Sequence, residues 1–175
     1  MKVPSPFIDQ TKDINAVIET PKGSRNKYVY DEETGGYKLK KALPAGMVFP
    51  FDFGFIPATK AEDGDPMDVL VLTDAPTFSG CIVESKVIGI IKVQQEKHGQ
   101  DVRNDRVIAV QLESRQYASV ERLSDLEEGL LKEIIHFFAS YNNITEDKFI
   151  PLGNDGASEA IRLIKESLLK ADEET

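Results

Sequence analysis

The chain has 175 residues, 41% of them apolar and 29% charged, which suits one soluble globular domain over residues 1–175 with a core of its own. A formal net charge of −9 argues against nucleic acid as a partner, which needs a basic face, and no run of about eighteen apolar residues exists to cross a membrane. Met1 to Asp13 lacks a secretion-signal pattern, and a single cysteine, Cys81, excludes an internal disulfide and fits a reducing compartment, so the expected location is the cytoplasm.

In chain order, residues 1–13 read as an extended arm, and Ala16 to Thr20 as a strand. Pro21-Lys22-Gly23-Ser24 is turn chemistry. Lys27 to Tyr30 is a second strand, with Lys27 and Val29 on one face. Thr34-Gly35-Gly36 turns into a third strand, Tyr37 to Lys41, and the spacing predicts an antiparallel meander. Phe49 to Pro57 is dense in aromatics and reads mainly as core. Asp63-Gly64-Asp65-Pro66-Met67-Asp68 is an acidic loop that runs into Val69-Leu70-Val71-Leu72, a short apolar stretch typical of a buried strand. Cys81 to Val93 reads as a strand bent near Gly89, with Cys81 packed in it. Gln94 to Asp105 reads as a polar loop, and Arg106 to Gln111 as a strand.

From Ser124 the period becomes helical. Ser124 and Glu127 form a predicted capping box, and Leu126, Leu130, Ile134, Ile135 and Phe138 make one apolar stripe of a helix that runs to about Tyr141. Phe149 to Leu152 is a short predicted strand. A second helix covers Ala157 to Lys170, with Ala160, Ile161, Ile164 and Leu168 inward. Many short strands followed by helices predict an α+β fold, the sheet forming a small barrel.

The acidic loop carries the chemistry. Pro66 excludes helix there, so Asp63, Asp65 and Asp68 sit on a rigid turn at a strand entrance. Three close carboxylates resist joint ionisation, and a hard divalent cation with oxygen ligands removes that conflict. The loop is no EF-hand, because its sixth position is Asp68 and a strand fills the second half. No phosphate-binding glycine loop, nucleophile elbow or His-Glu-x-x-His occurs. His98 lies in a polar loop and His136 on a helix, without cysteines beside them, which argues against zinc. Carboxylates, lysines and a tyrosine remain, the parts for metal-assisted attack on phosphate. Bound cations would also reconcile an acidic protein with an anionic substrate.

Asp63 to Asp68 fits the pattern Asp-x-Asp-Pro-x-Asp and so resembles the signature of the soluble family I inorganic pyrophosphatases, with similarity from about Val17 to about Tyr141. The resemblance implies a small OB-like antiparallel β-barrel with two flanking C-terminal helices. It implies hydrolysis of pyrophosphate to two phosphates by water activated between Mg²⁺ ions, and a homo-oligomer, a hexamer in bacterial members. Asp65 then matches the general base, and Asp63, Asp65 and Asp68 the metal-binding acids. Lys27 and Tyr141 match substrate-binding residues, and Glu19 the acid of the first strand.

The chain departs from that pattern at several places. Val29 stands for a second acid, Lys41 for the substrate-binding arginine, Phe49 and Phe53 for two tyrosines, and Asn142 for a lysine. The later Asp-Glu pair aligns with Gln95-Glu96, which leaves Glu96 as an acidic site residue. The Asp-x-Lys motif aligns with Asn104-Asp105-Arg106, so Asn104 takes a metal position and Arg106 a substrate position. A bulge of one residue would bring in Asp105 instead. Arg103, Lys40 and Lys97 are candidates to compensate for the altered clamp. Two alternatives stay open: a metal-dependent hydrolase of another phosphoanhydride, and a weakly active or non-catalytic relative. The intact Asp65 speaks for an enzyme.

Overall fold

The computed structural model describes residues 4–97, 99–144 and 148–173; His98 and the side chain of Lys97 lie outside them. In chain order the elements are β1 (Ile14–Thr20), β2 (Asn26–Asp31), β3 (Gly36–Ala42), β4 (Asp52–Phe55), β5 (Asp68–Leu72), β6 (Ile82–Lys97), β7 (Gln100–Arg103), β8 (Arg106–Gln111), α1 (Leu130–Ile144), β9 (Phe149–Gly156) and α2 (Ala157–Glu173). Strands β1, β4, β5, β8 and β6 lie side by side in that order, and β6 pairs back onto β1 to close the ring. Strands β7 and β9 extend from β6, and β2 and β3 form a separate hairpin. The α+β barrel with two C-terminal helices is therefore present.

One seam departs from the antiparallel expectation. Strands β5 and β8 run parallel, with Asp68 opposite Arg106 and Leu72 opposite Val110. A closed ring with an odd number of strands cannot alternate direction throughout, so one parallel pair is required. The pair has the composition of a seam covered on both faces, Val69 to Leu72 against Arg106 to Val110, all of them buried.

The meander predicted for the first three strands is not formed. β1 is almost wholly buried and pairs with β4 and β6, whereas β2 and β3 pair only with each other. Burial of Ile14, Ala16, Val17 and Ile18 outweighs sequence proximity. The polar stretch after Val93 is also not a loop. β6 continues to Lys97 and β7 pairs back on it, with Gly99 in the turn at a φ of 77°. Backbone pairing at a solvent edge requires no apolar alternation, so the sequence carries no period-2 signal there. The bend in β6 does lie at Gly89, where its register with β8 shifts.

The first helix starts later than predicted. Asp125, not Glu127, accepts backbone hydrogen bonds, from Glu121 N at 3.0 Å and Arg122 N at 3.1 Å, around a short 3₁₀ turn over Leu123–Asp125. Gly129, at a φ of 89°, then separates that turn from α1. Ile134 and Phe138 still face inward, and His136 is exposed on the helix.

Alternation along β5 and β8 splits the core into two clusters. Leu70, Leu72, Ile108 and Val110 pack with Ile134 and Phe138 of α1. Val69, Val71, Val107 and Ala109 pack with Ala160 and Ile164 of α2. Cys81 borders the second cluster, consistent with a packing role.

Gly54 sits opposite Ile18 where β1 and β4 cross closely. A Cβ there would lie 1.9 Å from the Val17 carbonyl oxygen, a clash with backbone that no rotamer relieves. Gly54→Ala is expected to lower the unfolding free energy by about 2 kcal/mol or more, read from urea denaturation. An unchanged midpoint would show that the two strands are not this close.

Candidate active site

A cavity of about 800 Å³ opens at the end of the barrel where β5 and β8 begin. All ten side chains singled out in the sequence reach its wall: Glu19, Lys27, Lys41, Asp63, Asp65, Asp68, Glu96, Asn104, Arg106 and Tyr141. They come from distant parts of the chain, and the ring brings them to one mouth.

The acids hold one side. Asp63 Oδ1 accepts from the Asp65 backbone N–H at 3.1 Å, and Ala61 N–H donates to the Asp65 carbonyl at 2.8 Å. Gly64, at a φ of 88°, takes a conformation that side-chain-bearing residues rarely adopt, and so lets the loop turn between the two acids. Asp68 opens β5 and is the cross-strand partner of Arg106, the two side chains standing 3.8 Å apart. Burial pushes the Asp68 carboxyl up, and the Arg106 guanidinium opposes that shift. Glu19 accepts the Tyr30 N–H at 2.7 Å, yet burial raises its pKa from the ordinary 4.5 to about 7, with the Asp68 charge adding to the rise. Burial thus penalises the charged forms of Glu19 and Asp68, a penalty that a divalent cation in the cavity would relieve. Among the described residues no three of these acids stand close enough to enclose a cation alone.

The cations hold the other side, against aromatic faces. Lys27 and Lys41 are cross-strand partners on the β2–β3 hairpin. Lys41 Nζ lies 4.3 Å, and Lys27 Nζ 5.4 Å, from the centre of the Tyr141 ring. The Arg106 guanidinium packs on two rings, 4.4 Å from Phe138 and 5.3 Å from Phe149. Its Nη1 donates to the Asn104 carbonyl at 3.1 Å. Arg106 is 3% exposed and Tyr141 6%, and neither the Arg106 Nε nor the Tyr141 hydroxyl finds a hydrogen-bond partner among the described residues. Buried donors left unmade are costly, so an acceptor-rich ligand suits them.

No bulge interrupts the chain at Asn104. Asn104 faces the cavity, while Asp105 turns away to accept from Val93 N at 2.9 Å and from Arg103 Nη2 at 2.7 Å. Asp105 and Arg103 instead line a smaller cavity beside α2. Arg103 therefore does not reach the site, whereas Lys40 does. Glu96 is at the wall, but its carboxylate is paired with Lys148.

Comparison with known proteins gives the family. A model of the inorganic pyrophosphatase family matches residues 16–172. The chain belongs to the inorganic pyrophosphatase family. It is 38% identical to the inorganic pyrophosphatase of Methanosarcina acetivorans over 153 residues, covering 87% of this chain and 89% of that protein. To the Thermus thermophilus enzyme it is 42% identical over 135 residues, 77% of this chain and 75% of the other. A crystal structure of inorganic pyrophosphatase from Thermus thermophilus superposes with a TM-score of 0.89 at 33% identity, over 98% of both chains. One from Neisseria gonorrhoeae gives 0.87 at 31%, again over 98% of both.

Within this inorganic pyrophosphatase fold, several residues at or behind the cavity wall are not legible in the sequence as such. Phe149, a ring under Arg106, carries no signal beyond strand propensity, because its contact depends on β9 pairing with β6. Gln95 and Asn142 stand out only as departures from the family pattern, yet they hydrogen-bond to each other at 3.2 Å.

The raised Glu19 pKa sets a pH dependence of stability. The folded chain keeps the Glu19 proton between pH 4.5 and about 7, where the unfolded chain has lost it. Stability should therefore fall as pH rises through that window. In metal-free protein Glu19→Gln is expected to melt higher than wild type at about pH 8 and level with it at about pH 4. Thermal scans in the presence of a chelator check this; a difference independent of pH would contradict the assignment.

Proposed function

We propose that the chain hydrolyses inorganic pyrophosphate to two phosphates in this cavity, with Mg²⁺ held on Asp63, Asp65, Asp68 and Asn104. The observation that carries the reading is one cavity that gathers the buried carboxylates of Glu19 and Asp68, the acids Asp63 and Asp65, and three cations, Lys27, Lys41 and Arg106. The names of the related proteins support the same substrate. Bound cations supply Lewis-acid polarisation of phosphoryl oxygens and make water a better nucleophile near neutral pH. Asp65 accepts the proton of the attacking water. Lys27, Lys41 and Arg106 bind phosphoryl oxygens, and the Tyr141 hydroxyl donates to one. Each acts by holding or stabilising charge that develops between the phosphorus centres. Lys41 offers a point charge where an arginine would offer a planar fork, so it gives attraction with less directional control. Glu19 adds negative charge beside Asp68, and Glu96 is held at the rim by Lys148.

Phosphate release from pyrophosphate, ATP and polyphosphate, assayed with Mg²⁺ and with Mn²⁺, tests the substrate. Hydrolysis of ATP or polyphosphate alone would favour the wider phosphoanhydride activity, and no release from any of them would mark a non-catalytic relative. Asp65→Asn is expected to reduce turnover by about a hundredfold or more while leaving the far-ultraviolet circular dichroism unchanged, since shape is kept and the base is lost. A variant retaining more than about a tenth of the wild-type rate would remove Asp65 from that role.

The same reading places the protein in the cytoplasm, where the free Cys81 is at home. No helix among the described residues is long and apolar enough to cross a membrane. It also makes the protein a homo-oligomer, with a hexamer as the expected state. Exposed apolar side chains at Phe78, Ile82, Ile150 and Leu152 are available for contacts between copies. Light scattering at micromolar concentration should report six copies per particle, and a monomer would contradict the assembly.

A further inference from the structure

Three side-chain amides form a chain from helix α1 to the cavity. Asn142 Nδ2 donates to the Phe138 carbonyl at 2.8 Å, Gln95 Nε2 donates to Asn142 Oδ1 at 3.2 Å, and Asn104 Nδ2 donates to Gln95 Oε1 at 2.8 Å. An amide side chain can be turned end for end, so its orientation must be fixed by its partners. Here the fixed point is the backbone: a carbonyl only accepts, so Asn142 must present its nitrogen to Phe138. Its oxygen then faces Gln95, the Gln95 oxygen faces Asn104, and the Asn104 nitrogen is used in the chain. Asn142 is 4% exposed, which makes the anchored end costly to rearrange. The end of Asn104 not used by the chain is its oxygen, on a residue that lines the cavity.

We propose that Gln95 and Asn142 are positioning residues that orient the Asn104 amide, so that Oδ1 rather than Nδ2 is offered to a divalent cation in the cavity. The proposal rests on the reading of Asn104 as a cation ligand. A carboxylate has two equivalent oxygens and needs no such device. An amide has one end that can ligate and one that repels a cation, so a neutral ligand at position 104 works only if its flip is decided. The chain makes that decision without adding charge to a wall already crowded with Asp68 and Glu19. The oxygen it offers binds more weakly than a carboxylate oxygen, but it imposes no further carboxylate repulsion when the cation is absent.

The test is Mg²⁺ binding by isothermal titration calorimetry on the full chain, without pyrophosphate. Gln95→Met keeps the length of the side chain and removes both ends of the link. It should weaken Mg²⁺ binding about three- to tenfold, the bias that one neutral hydrogen bond can impose. In an Asn104→Asp background, where orientation no longer matters, the same change should leave affinity within about twofold. Gln95→Ala serves as a second variant with the same expected pattern, and thermal unfolding reports whether each protein is folded. Unchanged Mg²⁺ affinity in Gln95→Met, or equal weakening in both backgrounds, would overturn the orienting role while leaving Asn104 as a ligand. If wild-type protein bound no Mg²⁺, the cation reading itself would fall, and this inference with it.

Discussion

A ring of five strands cannot reverse direction at every step, and the place where it fails to reverse is where the site lies. Strands β5 and β8 start from the same end, so the residues that open them, Asp68 and Arg106, stand beside each other. In an antiparallel pair the start of one strand meets the finish of the other, and two such openings would lie at opposite ends. The acidic loop enters β5 and the Asn104 turn enters β8 at one mouth for this reason. A parallel pair also needs a crossover connection, and here β6 and β7 supply it. The long β6 carries Gln95 and Glu96 to the same mouth before the chain returns.

Burial then governs the electrostatics. Glu19 and Asp68 are held where their charged forms are penalised, and Asp68 is countered by Arg106, itself penalised by the same burial. The cations are held largely on rings: Lys27 and Lys41 on Tyr141, and Arg106 between Phe138 and Phe149. A π face attracts a cation without consuming its hydrogen-bond donors. The arrangement fixes the position of positive charge while keeping donor groups for an anion, which a dense set of ion pairs would not do. The two phenylalanines Phe49 and Phe53 fit this economy, because they pack with Phe137, Tyr141 and Phe138 into the aromatic floor beneath the lysines.

Much of the barrel is legible in the residues themselves. The β-branched runs of β1, β5 and β8 read correctly as strands, Arg106 to Gln111 to the residue, whereas buried β4, Asp-Phe-Gly-Phe, reads only as aromatic core. The acidic loop is legible because a proline, a glycine and three carboxylates at short spacing leave few other conformations or chemistries. The misleading signals are local ones. Ser124 and Glu127 have the spacing of a capping box, but Gly129 breaks the helix after them and Asp125 captures the backbone donors. The first three strands have the spacing of a meander, but β1 pairs with β4 and β6, where Ile14, Ala16, Val17 and Ile18 are buried.

By itself, then, the sequence determined most of the apolar strands of the barrel and the acidic loop at the start of β5, because both follow from residue types a few positions apart. It also carried the family resemblance, through the same short motif. Tertiary structure decided which strand runs beside which, and with that the parallel seam and the single cavity. It also decided that Asn104 faces that cavity and Asp105 does not, since Asp105 is drawn away by Val93 and Arg103. The order of the three amides was decided in the same way. Gln95 lies on β6, Asn142 on α1 and Asn104 between β7 and β8, and no spacing along the chain records which end of an amide meets which neighbour.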